Sequence, residues 1–164
     1  MKTLLLLRHA KSSWKHAELP DHDRPLKKRG RQAAAQMGRR LQKLRLVPDH
    51  ILSSSATRAI ATAQLTAEAA NINSPIETVS DLYHANPIKL AAIVSQVPDS
   101  RERVLVVGHN PGLADWLALL IGRVEEFPTA ALAQIELPIS SWRELSLDTR
   151  GDLKGLWTPK TIAE

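Results

Sequence analysis

The chain has 164 residues, a net charge of +5 and no cysteine, which leaves room for one core-bearing domain and excludes disulfides and thiolate metal sites. No apolar run reaches the roughly 20 residues of a membrane helix, and four leucines before Arg8 fall short of a signal-peptide core of about 7–15 residues; the expectation is a single soluble, cytoplasmic domain over residues 1–164. The basic balance favours anionic partners, but an aromatic content of 4% argues against a base-stacking nucleic-acid surface.

Residues 2–8, KTLLLLR, form a continuous apolar run, the pattern of a strand buried on both faces of a parallel sheet. The run ends in Arg8 and His9. Residues 11–25 are polar, carry two prolines and read as a mobile acidic loop. Its stretch HAELPDHD, residues 16–23, has a spacing that a metal could use, but an active-site loop is the preferred reading. From Lys27 to Leu44, the residues Ala34, Met37, Leu41 and Leu44 fall at helical spacing, with arginines and lysines on the other face. VPDHILSS predicts a short strand from about Asp49 to Ser53. Residues 55–70 are alanine-rich and helical, with a serine available as N-cap and Arg58 in the first turn.

PIETV predicts a third strand, and residues 87–96 a short helix. ERVLVVGH predicts a second fully buried strand, ending at His109. NPGLADWLALLIG predicts a helix with Asn110 as N-cap, Pro111 in the first helical position and Gly122 as its stop. Leu113, Trp116, Leu117 and Leu120 make its buried stripe. ALAQIEL and DLKGLWTP close the chain as strands. Strands alternating with helices indicate an α/β three-layer sandwich, with a mostly parallel central sheet and helices on both faces.

Ligands of such sheets bind beyond the carboxyl ends of the strands. Arg8 and His9, His109, and Arg58 all lie at that edge. A cation in a first helical turn opposes the helix dipole by roughly 0.3–1 kcal/mol. A bound anion would remove that penalty, as would a side chain bent toward solvent. Paired histidines often bind metal, but arginine neighbours repel a cation, so no metal and no cofactor is expected. Arginine forks match phosphate oxygens, and histidine can be a covalent nucleophile. The cluster therefore reads as a site for phosphoryl transfer.

The stretches LLLLRHAKSSW, DHDRPLKKRG, SSSATRAIATAQ, LYHA and VVGHNPGL, in this order over residues 4–113, resemble the histidine phosphatase superfamily with its phosphoglycerate-mutase-like fold. More narrowly, they resemble the SixA-type phosphohistidine phosphatases. The resemblance implies that His9 is the phosphorylated nucleophile, that Arg8 and Arg58 bind the phosphoryl group, and that His109 is the second catalytic histidine. It also implies that Arg24, in DRPL, reaches the pocket as a substrate ligand. Two positions depart from the pattern: Ala10 stands where glycine is usual, and Lys27 where serine or threonine often caps the next helix. Gly30 fits either a close helix approach or a tolerated helix glycine.

Ester-cleaving members place a carboxylic general acid just after the third strand. Here SDLYHANP offers only Asp81 and then Tyr83, His84 and Ala85; Asp21, Asp23 and His84 stay open as substitutes. What the resemblance implies is a metal-independent phosphatase acting in signal transduction on protein phosphohistidine, with a partner such as a histidine-phosphotransfer domain, no nucleic acid and no membrane. The short segment 80–86 leaves an open pocket that suits a side chain presented by another protein. A phosphatase for small esters or anhydrides and a non-catalytic phosphoprotein-binding module are the alternatives, and binding alone would not need His9.

Overall fold

Strand β1 (Lys2–Arg8) sends Leu4 and Leu6 to one face of the sheet and Leu5 and Leu7 to the other, and all four are fully buried. That is why its apolar run shows no alternation: a strand with a core on each face has no polar side. The computed structural model describes residues 1–162. After β1 come α1 (Lys28–Lys43), β2 (His50–Ser54), α2 (Thr57–Ala69), β3 (Ile76–Val79), α3 (Pro87–Val94), β4 (Arg103–Gly108), α4 (Gly112–Ile121), β5 (Leu132–Leu137), β6 (Asp152–Trp157) and α5 (Pro159–Ile162).

The strands lie in the order β3-β2-β4-β1-β5-β6. Pairings among β3, β2, β4 and β1 are parallel, whereas β5 and β6 add on antiparallel. One core joins Leu5, Leu7, Ile51, Leu105 and Val107 to α1 and α2. The other joins Leu4, Leu6, Leu52, Val104 and Val106 to α3 and α4. This is the α/β sandwich that the alternation of elements predicts.

Three local expectations need correction. No serine side chain caps α2: its N-cap is Ala56, and the Ser54 hydroxyl instead accepts from the Ala56 N–H at 3.1 Å. Helix α4 begins at Gly112 rather than Pro111. Asn110, one residue further out than expected, still caps it, its Oδ1 accepting from the Ala114 N–H at 3.2 Å. The helix after β3 stops at Val94, short of residue 96. Gly122, with φ 76°, ends α4 in the left-handed conformation the sequence predicts.

Candidate active site

Arg8 pairs in register with Gly108 across the two central parallel strands, so His9 and His109 leave those strands side by side. Their rings lie 5.1 Å apart, tilted by 52°. The backbone at this edge is tightly fixed. The His9 N–H donates to the Gly108 carbonyl at 3.0 Å, and the Ala10 N–H donates to Thr62 Oγ1 at 2.9 Å. Thr62 in turn donates to the Arg58 carbonyl at 2.7 Å, tying the end of β1 to the first turns of α2.

Each histidine has one nitrogen committed to the protein. His9 Nδ1 lies 2.8 Å from the Ala10 carbonyl. A carbonyl only accepts, so Nδ1 carries the proton and Nε2 keeps its lone pair. His109 Nε2 lies 2.8 Å from Ser54 Oγ. That hydroxyl is fully buried and accepts from Ala56; His109 Nε2 is the acceptor in reach of its own proton, which would otherwise be buried without a partner. The remaining proton of His109 then sits on Nδ1, a neutral donor.

Arg58 is 5% exposed and Arg8 half-buried. Arg8 Nη1 donates to the Phe127 carbonyl at 3.3 Å. Arg58 donates from Nη1 to the Asp21 carbonyl at 2.7 Å and from Nη2 to Asp21 Oδ2 at 2.9 Å. The Nε atoms of both arginines are buried and have no partner among the described residues. Burial and the nearby Arg58 charge push Arg8 below its ordinary pKa.

The electrostatics keep both histidines neutral. Burial pushes His9 from 6.5 to about 4; the Ala10 carbonyl pulls the other way, and the charges of Arg58, Arg8 and Arg24 add smaller downward pushes. Burial and the neighbouring His9 push His109 to about 3. Asp21 moves the other way. The Tyr83 hydroxyl, then Arg58 and Arg24, hold its carboxyl well below the usual range.

The structure thus gathers four of the sequence-predicted residues, Arg8, His9, Arg58 and His109, at one edge. Arg24, expected as a substrate ligand, lies near enough for its charge to act on His9, and its hydrogen bonds run to neighbouring residues. Three of its five donors go to its own loop: Nε to the Ser13 carbonyl at 3.2 Å, Nη1 to Asp21 Oδ1 at 2.9 Å, and Nη2 to Ser12 Oγ. Trp14 also covers its planar face at 3.2 Å. These contacts tie the two ends of the loop together. Asp21 supplies the anion that the first-turn position of Arg58 calls for, and the side chain does not bend to solvent.

Among the described residues, no group of three or more His, Asp or Glu side chains is placed to hold a metal ion. Asp21 lies on the arginines, and His22 Nε2 lies 2.8 Å from Ser55 Oγ. Sequence reasoning missed Ser54 and Thr62. Their one visible signal was the serine run at the end of the second strand.

The profile of the histidine phosphatase superfamily, branch 1, matches residues 4–86. The chain belongs to the histidine phosphatase superfamily. As a member of that superfamily it is a phosphatase. An uncharacterised chloroplast protein of Arabidopsis thaliana is 32% identical over 173 residues, covering 96% of this chain and 78% of that protein. A protein of Agrobacterium tumefaciens assigned as the phosphohistidine phosphatase SixA is 28% identical. It superposes with a TM-score of 0.76 over 96% of this chain and 99% of that one. The protein histidine phosphatase SixA complexed with tungstate shares the fold, with a TM-score of 0.83 at 21% identity over 98% and 99% of the two chains. A phosphoserine phosphatase of Entamoeba histolytica in complex with 3-phosphoglyceric acid also shares the fold, with a TM-score of 0.70 at 13% identity over 99% and 100% of the two chains.

Proposed function

We propose that this histidine phosphatase removes phosphate from phosphohistidine on a protein, through a phosphohistidine formed on His9. The observation that carries this reading is the pair of buried, unpartnered Nε donors on Arg8 and Arg58 beside a neutral His9. A buried donor without a partner costs roughly 1–3 kcal/mol, and a phosphoryl oxygen would satisfy each. His9 Nε2 bonds to phosphorus as the P–N bond to the partner's imidazole breaks, and the departing nitrogen takes a proton from water. A second water then adds to phosphorus and gives up a proton to solvent, the His9 P–N bond breaks, and inorganic phosphate leaves. His109 Nδ1–H donates to a phosphoryl oxygen throughout and, being neutral, needs no proton transfer of its own.

The surroundings favour a protein-borne substrate. Only residues 80–86 separate β3 from α3, so no long insertion closes over the edge. The cavity of about 150 Å³ lined by His84, Ala85, Asn86, His109 and Asn110 is below the roughly 300–1,000 Å³ of enclosed small-molecule sites, and Arg8, His9 and Arg58 do not line it. A larger cavity of about 1030 Å³ lies between α1, the segment 125–129 and the C-terminal end, and none of the four clustered residues lines it.

The leaving group points the same way. Asp21 is ionised and bound to two arginines, which removes it as a proton donor. An imidazole nitrogen takes a proton from water far more readily than an alkoxide leaves without one. Asp23, Asp81 and His84 remain as candidates, and where none of them serves, ester cleavage loses a factor of roughly 10² to 10⁴ in rate. The test compares phosphate release from a phosphorylated histidine-phosphotransfer domain and from an alkyl phosphate, each with and without EDTA. Preference for the phosphoprotein by at least about a hundredfold, undiminished by EDTA, is expected. Equal or better ester hydrolysis would favour a small-ester phosphatase, and loss of activity with EDTA would contradict metal independence.

A further inference from the structure

Asp21 sits where three parts of the molecule meet. Its Oδ2 accepts from Arg58 Nη2 at 2.9 Å and from the Tyr83 hydroxyl at 2.6 Å. Its Oδ1 accepts from Arg24 Nη1 at 2.9 Å, and its carbonyl from Arg58 Nη1 at 2.7 Å. Arg58 belongs to α2, Tyr83 follows the 3-10 turn after β3, and Arg24 closes the loop behind β1. The side chain of Asp21 is 43% exposed, while that of Arg58 is 6% exposed. A surface carboxylate is thus fastened to a buried guanidinium.

A guanidinium can present either its terminal edge or its Nε edge to an oxyanion. Here both terminal amino groups of Arg58 are engaged by Asp21, and Nε alone is left without a partner. We infer that Asp21 is a positioning residue that fixes the rotation of Arg58, so that its Nε edge is presented to the phosphoryl group beside His9. The inference rests on the reading of Arg58 as a phosphate ligand. Arg24 then serves as the anchor of Asp21, held in turn by Ser12, Ser13 and Trp14. Tyr83 is the other anchor, and its ring stands edge-on to His109 at 5.4 Å.

Two other roles for Asp21 conflict with these contacts. An anion competing with phosphate would occupy the Nε donors, yet Asp21 partners neither of them. A general acid would need a proton, and the Tyr83 hydroxyl with two arginines holds this carboxyl ionised far below neutral pH.

The experiment compares Asp21→Ala, Asp21→Asn, Tyr83→Phe and Arg58→Ala with the parent protein, reading kcat and KM on a phosphohistidine protein together with inhibition by vanadate. Asp21 is on the surface, and thermal melting verifies that each variant is folded. Asp21→Ala is expected to lower kcat by roughly 10- to 100-fold, the range of one lost charged hydrogen bond. Asp21→Asn should recover kcat to within a few-fold of the parent, because its amide oxygen still accepts from Arg58. Tyr83→Phe should lower kcat by roughly threefold to tenfold. A rise in activity and tighter vanadate binding in Asp21→Ala would make Asp21 a competitor and overturn the inference. So would an Asp21→Asn variant as impaired as Asp21→Ala, the result for an acid, or an Asp21→Ala variant with unchanged kcat. If Arg58→Ala alone proves silent, the phosphate site itself has been misread and the inference falls with it.

Discussion

At the scale of single residues, the proposed chemistry depends on two histidines that stay neutral. His9 sits near 4 and His109 near 3 chiefly because burial disfavours the imidazolium; Arg58, Arg8 and Arg24 add to that penalty at His9, and His9 and Arg58 add to it at His109. A neutral His9 with its proton on Nδ1 offers Nε2 as a nucleophile without a prior deprotonation. The sign of the stability effect follows. Above pH about 6.5, His9 and His109 are neutral in both folded and unfolded chains and add no pH dependence. Below it the unfolded chain binds protons that the folded one refuses, so stability falls as pH drops through 6.5 toward 4 for His9 and 3 for His109. Two-dimensional NMR of the imidazole rings should show both histidines untitrated from pH 8 down to about 5.5. A midpoint near 6.5 for either ring would mean that the pocket is wetter than its packing implies.

At the scale of elements, the position of α1 is set by close backbone contacts. A Cβ at Gly30 would run into the Lys11 carbonyl, and one at Gly38 into Thr66 of α2. The Lys27 N–H also donates to the Lys11 carbonyl at 3.0 Å, so the start of α1 lies against the chain just after His9 and Ala10. Helix propensity alone would make Gly30→Ala stabilising by roughly 0.5–1 kcal/mol. Overpacking against a backbone atom costs about 1–3 kcal/mol, and that effect wins. Gly30→Ala should therefore lower the melting temperature by roughly 2–8 °C, and an unchanged or raised value in calorimetry would contradict the close approach. The sequence left Gly30 open between a tight contact and a tolerated glycine, because the partner, Lys11, is fixed only by the tertiary fold. The helices and strands themselves were legible. Ala34, Met37 and Leu41 carry the helical period, and all three are buried. The caps were less so: Asn110 acts one residue further out than periodicity placed it. The antiparallel direction of β5 and β6 has no local signal either, since a strand's apolar pattern is the same in both directions.

At the scale of the whole molecule, one rule of parallel sheets placed most of the site. The carboxyl ends of β1, β4 and β2 lie side by side, and they deliver Arg8, His9, His109 and Ser54 to one edge. Residues at strand ends were readable because strand positions were readable. Asp21 was not, because its partners Arg58 and Tyr83 are 37 and 62 residues away in the chain, and only the folded loop brings them together. Arg24 illustrates the same limit: its motif marked it for the pocket, and its side-chain hydrogen bonds are made within the loop. The central claim is that this edge carries a phosphoryl group on His9. The most direct measurement is rapid acid-free quenching of a reaction with a radiolabelled phosphohistidine protein, followed by mapping of the label. A transient, acid-labile phosphate on His9 is predicted, absent in a folded His9→Ala variant that also releases no phosphate. Phosphate release without any label on the protein, or label and turnover that persist in His9→Ala, would contradict the account.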